Sequence, residues 1–76
     1  MYNTDTLYAE LKKAFPDVKT DSHCTDLYVV SSNEVKEWLR ANYVHFTNVT
    51  TFIDDIDGDE WLDIPFAYPL EDNLGI

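Results

Sequence analysis

Six carboxylates, Asp54, Asp55, Asp57, Asp59, Glu60 and Asp63, fall within ten consecutive residues of this 76-residue chain. Carboxylates this close can chelate a hard cation, pass protons as paired acid and base, or present a fixed negative field. The spacing tests the first. Asp55, Asp57 and Asp59 match the first three ligand positions of an EF-hand loop, but the residue that must be glycine for its sharp turn is Glu60, and the closing bidentate glutamate is Phe66. Acid and base work is disfavoured because neighbours such as Asp54 and Asp55 point to opposite faces of a strand, and so short a chain offers little cleft to desolvate them. His23 beside Cys24 lacks a convergent second pair of ligands, and reads as a loop histidine next to a small, at least partly buried thiol. His45 has no evident partner. The chain contains no G-x-S-x-G, P-loop, G-x-G-x-x-G or H-E-x-x-H. No enzymatic activity, metal or cofactor is expected.

The third use fits the charge distribution. All five basic side chains (Lys12, Lys13, Lys19, Lys36, Arg40) precede residue 41, so residues 1–40 carry −2 and residues 41–76 carry −8 of the net −10. Along a hairpin about 17 Å long, its two arms side by side, the six carboxylates amount to about one charge per 3 Å of length. That is within a factor of about two of the duplex DNA density, one per ~1.7 Å. Phe52, Trp61 and Tyr68, interleaved with these acids, are of the type that anchors interfaces. The candidate partner-binding set is therefore Asp54, Asp55, Asp57, Asp59, Glu60, Asp63, Phe52, Trp61 and Tyr68, and the matching partner is a basic protein, with no direct nucleic-acid contact. Two plainer readings compete. The acids also suit a solubilising edge hairpin, and the aromatics suit a minor core under the C-terminal segment. Crowded carboxylates disfavour their own ionised forms, so raised pKa values and a stability that falls with rising pH are expected.

The elements that must hold these residues follow from periodicity. Leu7, Leu11, Ala14 and Phe15 make one apolar stripe on a helix from about Thr4 to Phe15, with Asn3 or Thr4 as N-cap and Pro16 as the stop. After a polar turn over Lys19 to Thr25, Leu27-Tyr28-Val29-Val30 reads as a short buried strand. Ser31-Ser32-Asn33-Glu34 has the pattern of a capping box and opens a second helix ending near Tyr43, with Val35, Trp38 and Leu39 on its apolar face. Asp57-Gly58 between two β-rich runs is a hairpin signal. A two-residue turn there pairs Asp55 with Glu60, Ile53 with Leu62 and Phe52 with Asp63. It gives Val49, Thr51, Ile53, Leu62, Ile64 and Phe66 one apolar face, and Phe52, Asp54, Ile56, Asp59, Trp61 and Asp63 the other. The expected fold is a small single α+β domain over residues 1–76, in the order α-β-α-β-β. Two helices pack on one face of a three-stranded sheet that ends in the acidic hairpin, and residues 69–76 fray as a tail.

A chain this short buries only a modest core. Its 45% hydrophobic and 14% aromatic content nonetheless separates it from a disordered acidic tail. A single cysteine excludes an internal disulfide and points to a reduced, cytoplasmic setting. The start lacks a basic and then apolar leader, no apolar run approaches bilayer length, and anionic lipid would repel the surface. In size and charge the chain is similar to phage and mobile-element antagonists that mimic DNA, such as anti-restriction and anti-CRISPR proteins and inhibitors of uracil-DNA glycosylase. No residue motif carries that similarity. It implies an inhibitor that occupies a nucleic-acid-binding surface. The alternatives are an immunity or antitoxin-like protein that caps a basic toxin without mimicry, and a homodimer through the open hairpin face.

Overall fold

Asn3 starts the first helix. Its Oδ1 accepts the backbone N–H groups of Asp5 and Thr6, two donors that the first turn leaves unpaired. The computed structural model describes residues 2–68; the expected frayed tail lies outside the described residues. Helix α1 spans Thr4–Ala14 and buries Leu7 and Leu11, with Lys12 and Lys13 at its negative end. Ala14, expected on the same stripe, is exposed, while Phe15 packs against the core from beyond the helix end. Helix α2 spans Asn33–Asn42, and its N-cap is Ser32 rather than Ser31: the Ser32 Oγ accepts the Val35 N–H at 3.2 Å. Val35 and Leu39 are buried on its apolar face with Tyr43 just beyond its end, and Trp38 lies half-buried against the rings of Tyr2 and Phe15.

The described residues form one antiparallel sheet of four strands, β1 (Thr20–His23), β2 (Asp26–Val30), β3 (Thr50–Ile53) and β4 (Glu60–Ile64), in the order β1-β2-β4-β3. The three expected strands are present. The fourth, β1, occupies part of the segment read as a polar turn. Its sequence Thr-Asp-Ser-His carries no apolar alternation, and it is held by backbone pairing to β2, from Thr20 opposite Val29 to His23 opposite Asp26. The two-residue link Cys24-Thr25 contains no glycine, asparagine or aspartate to mark it, although Cys24 adopts a left-handed φ of 56°. Cys24 is exposed there, where partial burial was expected.

Leu27 and Val29 of β2 and Leu62 and Ile64 of β4 alternate onto one face, and with Leu7, Leu11, Val35 and Leu39 they form a single core. Both helices thus cover the same face. The opposite face carries Tyr28, Trp61, Asp63 and Phe52, and no described helix covers it.

The hairpin departs from expectation by two residues in register. Phe52 faces Trp61, Ile53 faces Glu60 and Thr51 faces Leu62. The Asp57-Gly58 pair is not a two-residue turn; four residues, 55–58, bridge Asp54 and Asp59. The Asp54 N–H donates to the Asp59 carbonyl at 2.8 Å, and the Gly58 N–H donates to the Asp54 carbonyl at 2.7 Å. The Asp54 carboxylate accepts the Ile56 N–H at 2.8 Å, an Asx-type turn that competes with the tighter loop. Gly58 takes the left-handed φ, 74°, that closes the loop. A shift of two preserves which residues share a face, so Leu62 and Ile64 stay buried. Thr51 and Ile53, on the edge strand β3, are nevertheless exposed. Phe66, expected on the apolar face, is exposed as well, because β4 ends at Ile64 and the chain turns away through Pro65 with Phe66 at a left-handed φ of 59°.

Candidate functional site: the acidic hairpin

The loop between β3 and β4 collects four of the six clustered carboxylates. Asp55, Asp57 and Asp59 are exposed, and Asp54 is half-buried because its carboxylate closes the turn. The three ion pairs among the described residues are Lys13 with Glu10, Lys36 with Glu60, and Arg40 with Glu37. None engages the loop, so among the described residues its four charges have no internal cation, and those of Asp55, Asp57 and Asp59 stand in solvent. At the tip, Ile56 is 91% exposed.

The other two carboxylates are placed differently. Glu60 sits on the helix-side face of β4, where the Ser31 hydroxyl donates to its Oε2 at 2.7 Å and the Lys36 ammonium lies 3.1 Å away. The Ser31 hydrogen bond, then the hydrogen bond and charge of Lys36, hold the Glu60 carboxyl below its ordinary value. Glu60 therefore ties the hairpin to the start of α2. The expected like-charge pairing of Asp55 with Glu60 does not form; Asp54 and Asp59 oppose each other at the loop base instead. Sequence spacing alone could not find the Ser31 contact, since those residues are 29 apart.

Asp63 lies on the helix-free face, opposite Tyr28 on one side and Thr50 on the other. Its Oδ1 is buried with no hydrogen-bond partner among the described residues. Burial first, and then the neighbouring Asp26 carboxylate, push its pKa up, with His23 pulling weakly the other way. The strained acid arises from burial and from β2, not from crowding within the hairpin. Burial and then Asp63 likewise raise Tyr28.

A linked prediction follows for Asp63. Its folded pKa lies above the ordinary 3.8, so the native state binds more protons than the unfolded chain between those two values. Stability is intact below that window and is lost as pH climbs through it. Glu60 has the opposite sign, contributing stability above 4.5 that is lost as pH falls through its depressed value. A fall of stability with rising pH therefore has the sign of Asp63 and not of Glu60. Asp63→Asn is expected to flatten that fall as pH rises from 3.8 toward neutrality and to raise the thermal midpoint at neutrality. Midpoints followed by circular dichroism at matched salt check this; an unchanged slope assigns the effect elsewhere.

Among the predicted aromatics, Phe52 and Trp61 face each other across the β3–β4 ladder, and Phe52 meets the Tyr28 ring edge-on at 5.0 Å. Trp61 is half-buried and its Nε1 has no hydrogen-bond partner among the described residues. Tyr68 is not with them. Its ring packs edge-on against Tyr8 of α1 at 5.3 Å, and its N–H donates to the Thr25 carbonyl at 2.8 Å. The site thus consists of the loop aspartates and Ile56, flanked by Phe52, Trp61 and Asp63 on the helix-free face. Tyr28, which the sequence reading assigned to a buried strand, joins this face.

Among the described residues no group of three or more His, Cys, Asp or Glu side chains is placed to hold a metal ion. An open cavity of about 550 Å³ lies apart from the loop, lined by Thr4, Tyr43, His45, Asn48, Thr50 and Phe66 among others. It contains no carboxylate. No described helix is long and apolar enough to cross a membrane. No family model, curated protein or solved structure matches the chain.

Proposed function

We propose that the protein is a small acidic inhibitor that docks its C-terminal hairpin on the basic, nucleic-acid-binding surface of a partner protein, in the manner of phage or mobile-element anti-defence proteins. The observation that carries this reading is the loop itself. Three local hydrogen bonds fix the backbone of a loop that carries four aspartates within six residues, and no ion pair among the described residues engages them. A pre-ordered charge array costs less entropy on binding than one that must be gathered from a mobile chain. Steering by these charges raises the association rate, and short-range contact supplies what salt cannot screen. Ile56, 91% exposed at the loop tip, is placed to make such a short-range contact.

The test is capture from a cell lysate on immobilised protein at low salt, with release by high salt and identification of what is released. One nucleic-acid-binding enzyme, displaced from the protein by added DNA or RNA, is the expected result. Capture of a partner that DNA and RNA do not displace favours an immunity or antitoxin-like module and ends the mimicry reading.

A further inference from the structure

The two edges of the sheet are finished differently. On β1 the outward backbone groups belong to Thr20 and Ser22, because Val30 bonds to Lys19 and hydrogen-bonded pairs alternate along an antiparallel ladder. There the Asp21 carboxylate accepts the Ser22 N–H at 2.8 Å, which occupies the donor that another strand would use. On β3 the hydrogen bond from Asp54 to Asp59 sets the alternation. Phe52 and Thr50 then pair with β4, and the N–H and C=O groups of Thr51 and Ile53 point away from the sheet. Among the described residues nothing bonds to those outward groups. All four residues of β3, Thr-Thr-Phe-Ile, are exposed, of high strand propensity, and free of charge, proline or bulge. The usual devices that blunt an edge are missing from this one alone.

We propose that β3 is a docking strand, to which an extended, positively charged segment of a partner protein adds as a fifth strand. Thr51 and Ile53 supply the backbone bonds, and the loop aspartates at the end of β3 select a basic segment. The inference rests on the reading above for the sign of the partner's charge and adds the contact. Charge also argues against a second copy as the occupant, since each copy carries −10 and residues 41–76 hold no basic side chain. Backbone pairing is largely indifferent to side chains, so a generic strand of the right charge is a fair probe.

The experiment titrates the ¹⁵N-labelled full chain with a synthetic eight-residue peptide of alternating lysine and valine. The controls are the same peptide N-methylated throughout, which keeps the charge but removes the donors, and its glutamate-valine counterpart. Expected are shifts and slowed amide exchange at Thr51 and Ile53 by millimolar peptide, and binding weakened at least about tenfold by N-methylation, the loss of two net hydrogen bonds. Thr51→Pro removes an outward donor without touching the β4 ladder, and is expected to weaken binding to a similar degree. Shifts confined to residues 54–59 and indifferent to N-methylation overturn strand addition while leaving the electrostatic reading standing. Equal binding of the glutamate-valine peptide overturns the assigned partner charge and the reading beneath it. Protection of Thr51 and Ile53 that rises with protein concentration and needs no peptide makes a second copy the occupant. No change at Thr51 or Ile53 also overturns the proposal.

Discussion

Reversing the loop charges together, Asp55→Lys with Asp57→Lys and Asp59→Lys, is expected to lower affinity for the captured basic partner by at least about a hundredfold. Close charge pairs across an interface couple by roughly 1.5–7 kcal/mol each, and every 1.4 kcal/mol or so is tenfold in affinity. Even at the low end, three such contacts exceed the predicted loss, and reversal adds repulsion. These three are the right positions because their side chains are exposed and carry no structural hydrogen bond. Asp54 and Asp63 are poor choices. The first closes the turn onto the Ile56 N–H, and the second is half-buried beside Asp26, so changes there confound binding with folding. The matched control reverses Asp17, Glu34 and Glu37, which alters net charge equally outside the hairpin. A binding loss of equal size in both triple variants means that only net charge matters, and the fixed array is then irrelevant. Ile56→Ala separates the two components of the contact, since its loss of affinity should persist at high salt.

Leu62→Ala is expected to cost about 2–5 kcal/mol of stability, the range for emptying a core leucine site. Leu62 is 2% exposed at the middle of β4, between Val29 of β2 and Thr51 of β3. A domain of this length is stable by only about 4–11 kcal/mol at the usual density per residue. The change therefore removes a large share of the total and lowers the thermal midpoint by ~10–30 °C. Urea titration followed by far-ultraviolet circular dichroism, with Ile56→Ala as a surface control expected to fall within about 0.5 kcal/mol of the parent, checks it. A cost below about 1 kcal/mol would falsify the placement of Leu62 in the single core. Since the same strand carries Glu60 and Asp63, loss of this packing should also loosen the loop it anchors.

Both helices were legible from periodicity because burying an apolar stripe needs only local spacing. Leu7 with Leu11, and Val35 with Leu39, went inward as the pattern requires. The face that each residue of β4 takes was legible for the same reason: a strand alternates whatever its partner. What escaped were features decided by contacts between distant residues. β1 has no apolar signal and exists through its backbone pairing with β2. The Ser31 hydroxyl left the cap position to Ser32 because Glu60, across the sheet, offered it a charged acceptor. Tyr68 was grouped with the acidic hairpin by sequence proximity and composition, yet the chain turns after β4 and carries it to α1.

The chain's own order of residues determined the sign, amount and segregation of charge, the two amphipathic helices and the alternation of the strands, because each depends on side-chain identity and short-range geometry. Only the tertiary structure decided which carboxylates stand in solvent, which one is neutralised by Lys36 and which one is pushed toward protonation by burial. It also decided that one sheet edge is closed by Asp21 while the other is left bare. Solvent exposure and through-space neighbours set those outcomes, and both are fixed only when strands far apart in sequence come together.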